Sequence, residues 1–308
     1  MKNKKQHFIP KSYIEAWCDS NTPSGQEPFI WIMPKNGVPG HPKAPQNTFT
    51  ETNIYTIKLL DGSRNLTIEH GLSGLETQFA ELRRNKLISH EELSIEDYAI
   101  LCAFTAATHA RTPKQRDHLE KMFSMPKMLI EKMREKIKTA QPHDRDIILK
   151  EMSSIPSGGP TFNYEEIKKL AESPLQYTLV PAIQAETPLL LQMDHAILFT
   201  DSSPGFITSD APCVWFDPDA YSRPYPYNAP GICYPKIEIT LPISPSQIFF
   251  LNRAGISGYI QITEAILDEL NQRTCCYANE FFVVSHNQTK QIWFEIGSPP
   301  KGKEANNN

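Results

Sequence analysis

The chain has 308 residues, a formal net charge of −4 and 40% hydrophobic residues, which is the composition of a globular protein with a substantial core. The acidic balance argues against a general nucleic-acid coat protein and against a protein that covers a membrane surface. The six cysteines form no Cys-x-x-Cys pair, and no apolar run is long enough for a signal peptide or a membrane span, so we expect a cytoplasmic protein with free thiols and no membrane contact.

The first 62 residues predict a small mixed lobe. A short helix is predicted over residues 10–17, because Pro10 stands at a helix start. Residues 29–33 predict a strand, and residues 48–57 a second extended run, because both are rich in β-branched and aromatic residues.

Residues 63–193 predict a helical block. Apolar residues recur every three or four positions over 71–87, and Ser94 followed by Asp97 is typical of a capped helix start. Pro113 is expected to end that helix, and Pro126 argues against one continuous helix over 114–138. Further helices are predicted over 163–171 and 174–193.

Residues 194–298 predict a strand-rich lobe, and residues 299–308 a disordered tail. A single late helix is expected over 263–277, and the short connections favour antiparallel pairing. The segregation of helices and strands predicts an α+β fold packed as one large domain. The predicted strands are 196–200, 205–209, 213–216, 236–241, 247–252, 281–285 and 291–296.

The first two of these strands predict a hairpin, because the turn signal Asp201-Ser202-Ser203-Pro204-Gly205 lies between them. That hairpin would bring Asp194 and His195 beside Ser209 and Asp210. A carboxylate beside an imidazole at the end of a rigid strand pair is a suitable arrangement for catalytic groups. Asp210 could equally form a local turn that ends its strand before Pro212.

Residues 111–150 carry eleven Lys or Arg and six Asp or Glu. This local basic surface could bind phosphate, and it is equally typical of a solvated helical face.

His7 and Tyr13 form the first candidate site. A histidine just ahead of a helix start lies near the positive end of the helix, which suits a neutral base or a metal ligand. A partly buried histidine with a backbone partner fits the same pattern.

Residues 105–116 form the second candidate site. Thr105, Thr108, His109, Thr112 and Arg116 fall near one another at helical spacing. Because guanidinium groups bind both oxygens of a carboxylate or phosphate, Arg111 and Arg116 are candidate substrate ligands. The alternative is a pair of structural ion pairs with acids of the strand lobe.

Asp210 and Glu238 form a candidate metal site. Glu238 lies on an alternating strand, and two carboxylates could hold Mg²⁺ or Mn²⁺ as metal nucleases do. Such nucleases commonly carry Glu-x-Lys on this strand, whereas Thr240 stands at the third position here. The chain contains no P-loop, G-x-G-x-x-G, G-x-S-x-G or H-E-x-x-H motif, which counts against ordinary NTPases, dinucleotide enzymes, α/β-hydrolases and zincin peptidases.

Six segments along the chain form an ordered set of motifs. They are His7-Phe8-Ile9-Pro10-Lys11-Ser12-Tyr13-Ile14, Leu75-Glu76-Thr77-Gln78-Phe79, Arg111-Thr112-Pro113-x-x-Arg116, Phe206-Ile207-Thr208-Ser209-Asp210-Ala211-Pro212, Leu241-Pro242-Ile243-Ser244-Pro245 and residues 271–284.

This ordered set resembles the mainly bacterial family labelled domain of unknown function 4238. The family often has a histidine where Gln6 stands and an asparagine where Ala211 stands, and the first difference weakens a two-histidine metal site. The family has no agreed activity, so the resemblance supports the choice of candidate residues more than the choice of reaction.

Together these patterns favour a hydrolase that acts on a phosphodiester, a nuclease-like effector with a nucleic acid or nucleotide as its partner. In this hypothesis His7 is the general base, Asp210 and Glu238 hold a divalent metal or orient His7, and the two arginines bind phosphate. Tyr13, His109 and Ser209 complete the substrate site. The competing hypothesis is a non-enzymatic binding or sensor module in which the same residues form a structural polar network.

Overall fold

The computed structural model describes residues 5–19, 22–23, 25–59, 61–153 and 162–295. The predicted disordered tail lies outside these ranges. Helices and strands are segregated along the chain, which confirms the α+β prediction. The helices are α1 (Lys11–Ile14), α2 (Thr67–Leu82), α3 (Ile95–Ala110), α4 (Pro113–Thr139), α5 (Pro142–Ser153), α6 (Tyr164–Glu172), α7 (Pro174–Leu190) and α8 (Glu264–Tyr277).

The strands of the described residues are β1 (Lys5–His7), β2 (Ile30–Pro34), β3 (His41–Lys43), β4 (Thr50–Thr52), β5 (Ile57–Lys58), β6 (Arg64–Asn65), β7 (Asp194–Phe199), β8 (Thr208–Ser209), β9 (Val214–Phe216), β10 (Glu238–Ser244), β11 (Gln247–Asn252), β12 (Gly258–Gln261) and β13 (Phe281–Val284). A five-stranded sheet has the order β12-β7-β11-β10-β9, and a four-stranded sheet has the order β3-β2-β13-β8. In the described residues the pairings are antiparallel except that β12 runs parallel to β7.

Helix α3 is the centre of the helical block. Its start is a capping box, in which Ser94 and Asp97 each accept the other's backbone N–H. Small and apolar side chains cover much of its surface, so it packs between α2 and α7. Phe104 of α3 stacks on Phe79 of α2 with ring centroids 3.8 Å apart. One hydrophobic core therefore joins the helical block to the sheets, with members from Phe8 to Val283.

The four-stranded sheet joins the two ends of the chain, because β2 pairs with β13 from Trp31–Val284 to Pro34–Phe281. The predicted mixed lobe is thus completed by a strand from residues 281–284. Sequence periodicity identified both strands, but the pairing depends on contacts between segments some 250 positions apart.

The predicted hairpin of residues 196–200 and 205–209 is wrong. Strand β7 pairs with β11 and β12 in the five-stranded sheet, whereas β8 pairs with β13 in the four-stranded sheet. The turn between them does not fold β8 back onto β7. Instead Gly205 adopts φ +78° and its neighbour Phe206 donates its N–H to the carbonyl of Pro245 at 2.7 Å.

Three further local predictions need correction. Residues 291–296 were expected to form a strand, but Gln291–Phe294 forms a 3-10 helix. Helix α4 is continuous through Pro126, because an exposed helix can lose one backbone hydrogen bond without burying the freed carbonyl. The extended run over 48–57 is broken at Asn53, which has φ +59°, so only short strands remain.

We predict that Gly205→Ala destabilises the fold more than Gly255→Ala. Both glycines have φ close to +78°, but a Cβ at 205 would overlap the carbonyl oxygen of Pro245, whereas a Cβ at 255 would meet nothing within 4 Å. The strain common to both costs about 1 kcal/mol. Gly205→Ala should lower the free energy of unfolding by at least about 2 kcal/mol more than Gly255→Ala, measured by urea unfolding. Equal losses of unfolding free energy in the two variants would show that the backbone at residue 205 moves to accept a Cβ without cost.

We predict that His195 makes the fold less stable in mild acid. Its ring packs between Tyr98 and Phe249, and burial lowers the pKa of His195 below its ordinary value of 6.5. The unfolded chain therefore binds more protons as the pH falls below about 6.5, and stability is lost in that window. His195→Gln should flatten the fall in unfolding free energy between pH 7 and pH 5.

The matched control is His41→Gln, because His41 is exposed on β3. It should keep the pH dependence of the unaltered chain. Burial also lowers the pKa of His7, so some acid sensitivity should remain in His195→Gln. An unchanged slope in that variant would contradict the assignment.

Candidate functional site

Asp210 fixes the junction between α8 and β13. Its two carboxylate oxygens accept the backbone N–H groups of Asn279, Glu280 and Phe281 at 2.8, 2.8 and 3.0 Å. Burial raises the pKa of Asp210, and these three donors oppose that rise. Because both oxygens are already engaged, the side chain acts as a backbone clamp between β8 and β13.

Two lysines stabilise the other side of the same junction. Lys35 donates to the carbonyls of Cys276 and Ala278 at 2.6 and 2.8 Å, and Lys114 donates to the carbonyl of Tyr277 at 3.2 Å. Cations at a helix C-terminus satisfy its free carbonyls and complement its dipole. The carbonyls at the end of α8 are therefore bound by lysines, and the amides of the residues that follow the helix are bound by Asp210.

Glu238 lies in a separate environment. Its carboxylate pairs with Arg273 of α8, whose guanidinium lies 3.7 Å from the centre of the Phe216 ring. The contacts of Glu238 and Asp210 share no residue, and among the described residues no group of three or more His, Cys, Asp or Glu side chains could hold a metal ion. The structure gives each of these acids its own structural partner.

Tyr13 and Ser209 are completely buried. The Tyr13 hydroxyl donates to the carbonyl of Pro242 and lies within hydrogen-bond distance of Thr208 Oγ1, both at 2.7 Å. Ser209 Oγ accepts the backbone N–H of Ala211 at 3.1 Å. Both side chains thus join core segments and do not face a cleft.

His7 and Arg111 share Glu76 as an electrostatic neighbour. Arg111 is fully buried and donates to Glu76 of α2 at 2.7 Å. His7 lies 3.4 Å from the carbonyl of Pro45, and burial lowers its pKa, with Glu76 and Arg111 acting on it in opposite directions. The Tyr55 hydroxyl donates to the carbonyl of His7. The hydrogen bonds described here for His7 and Arg111 include neither Asp210 nor Glu238.

Arg116 pairs with Glu51 of β4 and with its neighbour Asp117. Both predicted arginines thus hold acids in structural ion pairs, which is the alternative interpretation of their motif. The partners belong to β4 and α2 and not to the strand-rich lobe.

A cleft of about 460 Å³ separates the helical block from the strand-rich lobe. Helices α3 and α4 form one wall, and residues around β9, the loop before β10 and the end of α8 form the other. A pocket with apolar walls and a few converging polar groups is the usual form of a ligand site. The lining residues are Thr108, His109, Thr112, Lys114, Gln115, His118, Ala211, Cys213, Trp215, Ala229, Pro230 and Tyr277.

His109 is the best-positioned titratable group of this cleft. Its Nδ1 lies 3.2 and 3.1 Å from the two carboxylate oxygens of Glu186 on α7, and its ring stacks on Trp215 with centroids 4.7 Å apart. A carboxylate at Nδ1 fixes the orientation of an imidazole ring. Glu186 and Trp215 therefore hold the His109 ring in place at a cleft between two lobes.

Lys114 and His118 lie on the same wall, at the start of α4. The Lys114 ammonium sits 4.1 Å from the centre of the Tyr277 ring, and burial lowers the pKa of Lys114, with the charge of Lys35 adding to the effect. Thr112 caps α4 by accepting the N–H of Gln115 at 3.2 Å. The cleft thus combines a helix N-terminus, an ammonium group and a second imidazole, which all favour an anion.

Cys213 and Tyr277 line the opposite wall as uncharged side chains. Burial raises the pKa of Cys213 well above its ordinary range and that of Tyr277 to about 12, and the carboxylate of Glu186 adds to both shifts. The thiol and the phenol therefore keep their protons near neutral pH. A cysteine nucleophile is not available here, because the thiolate is the reactive form.

The family model described as protein of unknown function DUF4238 matches residues 5–289. The chain belongs to the DUF4238 family. The resemblance predicted from the ordered segments is confirmed. Comparison with curated proteins and with solved structures found no match. No helix in the described ranges is both long enough and apolar enough to cross a membrane.

The segments that carry the DUF4238 resemblance largely bind one another. Tyr13 of the first segment contacts the segments of Thr208 and Pro242. Asn271 donates to the carbonyl of Gly205 at 2.9 Å and accepts the N–H of Ile207 at 3.0 Å. These contacts explain why polar residues stand in apolar segments, because each satisfies backbone groups that the core would otherwise leave unpaired.

The residues that sequence patterns did not identify are Glu186, His118 and Trp215. Glu186 lies among the apolar and small residues of α7, and His118 follows His109 by nine positions in a separate helix. The basic run over 111–150 includes α4, and His109 lies on the α3–α4 wall of the cleft. Their partners depend on how α3, α4, α7 and β9 pack.

We predict that Asp210→Ala lowers stability. Three buried backbone donors would lose a charged acceptor, and the cost should be at least about 3 kcal/mol in urea unfolding. The control is Asp201→Ala, because Asp201 is exposed and its carboxylate accepts only from Gln261 at 3.2 Å. The control should stay within about 0.5 kcal/mol of the unaltered chain. An Asp210→Ala variant as stable as the unaltered chain would show that Asp210 does not stabilise the junction between α8 and β13.

Proposed function

We propose that this chain is a cytoplasmic hydrolase that cleaves a ribose phosphodiester in the cleft between the helical block and the strand-rich lobe. The observation that carries the proposal is the grouping of His109, His118 and Lys114 along one cleft, with His109 oriented by Glu186. Two imidazoles and an ammonium group supply a base, an acid and a charge for the phosphoryl transition state.

The first step uses the 2′-hydroxyl of the substrate as nucleophile. His109 Nε2 accepts the proton of that hydroxyl while O2′ bonds to phosphorus. The P–O5′ bond breaks, and the imidazolium of His118 gives its proton to O5′. The products are a 2′,3′-cyclic phosphate and a 5′-hydroxyl end, and the two histidines have exchanged protonation states.

The second step opens the cyclic phosphate with water. The neutral His118 accepts a proton from water while the water oxygen bonds to phosphorus. The P–O2′ bond breaks, and the protonated His109 returns its proton to O2′, which leaves a 3′-phosphate and a free 2′-hydroxyl. Both histidines then regain their starting states, so the two steps form a closed cycle. Lys114 stabilises the negative charge that grows on the phosphoryl oxygens in both transition states.

The proposal keeps the reaction class that the sequence patterns favoured, which is phosphodiester hydrolysis. It changes the residues that perform the reaction. His109 replaces His7 as the general base, because the hydrogen bonds of His7 involve the carbonyl of Pro45 and the Tyr55 hydroxyl. In this proposal Asp210 and Glu238 have structural roles. The proposal assigns the chemistry to side chains of the cleft.

The test is cleavage of a labelled 12-nucleotide RNA by the purified chain in the presence of EDTA. His109→Asn and His118→Asn should each lower the rate by about 10²- to 10⁴-fold, because each removes a proton-transfer group. Mass spectrometry should find 2′,3′-cyclic phosphate ends, and the same oligonucleotide with 2′-O-methyl groups should stay intact.

The control variant is His41→Asn, on exposed β3, which should cleave at the rate of the unaltered chain. Thermal melting should confirm that all three variants are folded. The proposal fails if RNA and ribodinucleotides stay intact, or if His109→Asn cleaves as fast as the control. Binding of RNA to the cleft without any cleavage would instead support the non-enzymatic binding module.

We predict that Glu186→Gln lowers the rate by about tenfold or more, with a smaller effect than His109→Asn. The amide keeps an oxygen that can accept from Nδ1, but it no longer offsets the positive charge that forms on the ring. The measurement is kcat and KM with the labelled RNA, in which the loss should fall on kcat and leave KM within about twofold. A kcat equal to that of the unaltered chain would contradict an orienting role.

A further inference from the structure

Helix α4 carries a surface that the proposed cleavage chemistry does not use. No residue of α4 is fully buried, and the helix spans about 40 Å at 1.5 Å per residue. We call the cations Lys114, His118, Lys121, Lys132 and Lys136 the α4 track. At about 100° per residue, these five positions fall within an arc of about 60° on one side of the helix.

The opposite side of α4 faces the protein and holds its charges in pairs. Lys127 pairs with Glu172 at 2.8 Å, Glu131 accepts from the Tyr164 hydroxyl at 2.8 Å, and the Arg134 guanidinium lies 3.8 Å from the Tyr164 ring centre. The four acids of α4 all fall outside the arc of the track. The exposed side is therefore basic, although the whole chain has a net charge of −4.

Large apolar side chains interleave with the cations of the track. They are exposed by 42–70%, which is unusual for methionine and leucine on a helix that faces solvent. Unbranched methionine side chains adapt to irregular apolar partners. The residues are Met122, Met125, Met128, Leu129 and Met133.

The track begins at the cleft, because Lys114 and His118 line it. The opposite cleft wall continues into a loop with three exposed tyrosines, Tyr221, Tyr225 and Tyr227. Arg223 holds this loop by donating to the carbonyls of Tyr227 and Ala229 at 2.7 and 3.1 Å. Exposed aromatic rings on a loop whose backbone is held in place are suited to stacking on bases.

We propose that the α4 track binds single-stranded RNA and leads it into the cleft, where the tyrosine loop stacks on bases. Phosphates contact the cations, and unpaired bases contact the methionines and tyrosines. A duplex fits less well, because its bases are stacked inside and cannot reach apolar side chains. That the RNA strand runs from the α4 track into the cleft rests on the proposed cleavage function. Binding of RNA to the track can be measured without cleavage.

The experiment measures fluorescence anisotropy of a labelled, uncleavable 2′-O-methyl 12-nucleotide RNA with the full chain. The track variant is Lys121→Gln/Lys132→Gln/Lys136→Gln, which leaves the cleft residues unchanged. Each phosphate contact contributes about −0.7 to the slope of log K against log salt. The variant should therefore reduce that slope by about 2 and weaken binding about 10- to 100-fold at 0.1 M salt.

The matched control removes the same charge elsewhere. Lys43, Lys58 and Lys169 are exposed and lie outside α4, so Lys43→Gln/Lys58→Gln/Lys169→Gln should bind within about twofold of the unaltered chain, which is the scale of a nonspecific charge effect. The duplex of the same sequence should bind at least about tenfold more weakly.

The outcomes separate this inference from the proposed function. Track-dependent binding without any RNA cleavage supports the α4 track and overturns the cleavage proposal. Cleavage of the dinucleotide UpA with equal RNA affinity in the track and control variants overturns the track and leaves the cleavage proposal standing. Equal affinity for duplex and single strand overturns the strand preference. Track-dependent binding to phosphatidylserine vesicles with no RNA binding overturns the inference in favour of a membrane surface.

Discussion

The clamp that Asp210 makes on the amides of Asn279, Glu280 and Phe281 is the contact on which the rest of the arrangement depends. It fixes the point where α8 ends and β13 enters the four-stranded sheet. Lys35 and Lys114 bind the carbonyls of the same turn, so β2, α4, α8 and β8 all meet there. Because a buried carboxylate must find donors, this junction has few alternative geometries. The position of Lys114, and with it one wall of the cleft, follows from this constraint.

The polar residues of this chain divide into two kinds. Those of the family segments, such as Tyr13, Asn271 and Asp210, are buried and satisfy backbone groups of other segments. Those of the cleft, such as His109 and Lys114, are partly exposed and face a space between two lobes. Both kinds interrupt apolar runs in the sequence, so the pattern alone cannot separate them. The separation follows from solvent access, because only a group that reaches the cleft can meet a ligand.

The helical block and the strand-rich lobe contribute different components to the cleft. The helices provide cations, imidazoles and the positive end of α4, whereas the strand-rich side provides Trp215, Tyr277 and the tyrosine loop. The proposed function requires a ligand that has both an anionic part and a flat apolar part, and nucleotides have this composition. The acidic overall charge is compatible with such a ligand, because the cations are concentrated on one side of one helix.

The sequence by itself determined the α+β class, most helices and strands and the family, because these depend on local periodicity, caps and ordered motifs, as at Ser94–Asp97 and Thr263. It also made His109 and the basic run candidates for a site. Only the tertiary structure decided which strands pair, so that β7 and β8 lie in different sheets. It likewise decided that Asp210 accepts from three backbone amides, that Glu238 pairs with Arg273 and that Glu186 meets His109. These outcomes depend on contacts between residues far apart in the chain, and no local pattern encodes which distant partner a buried polar group will meet.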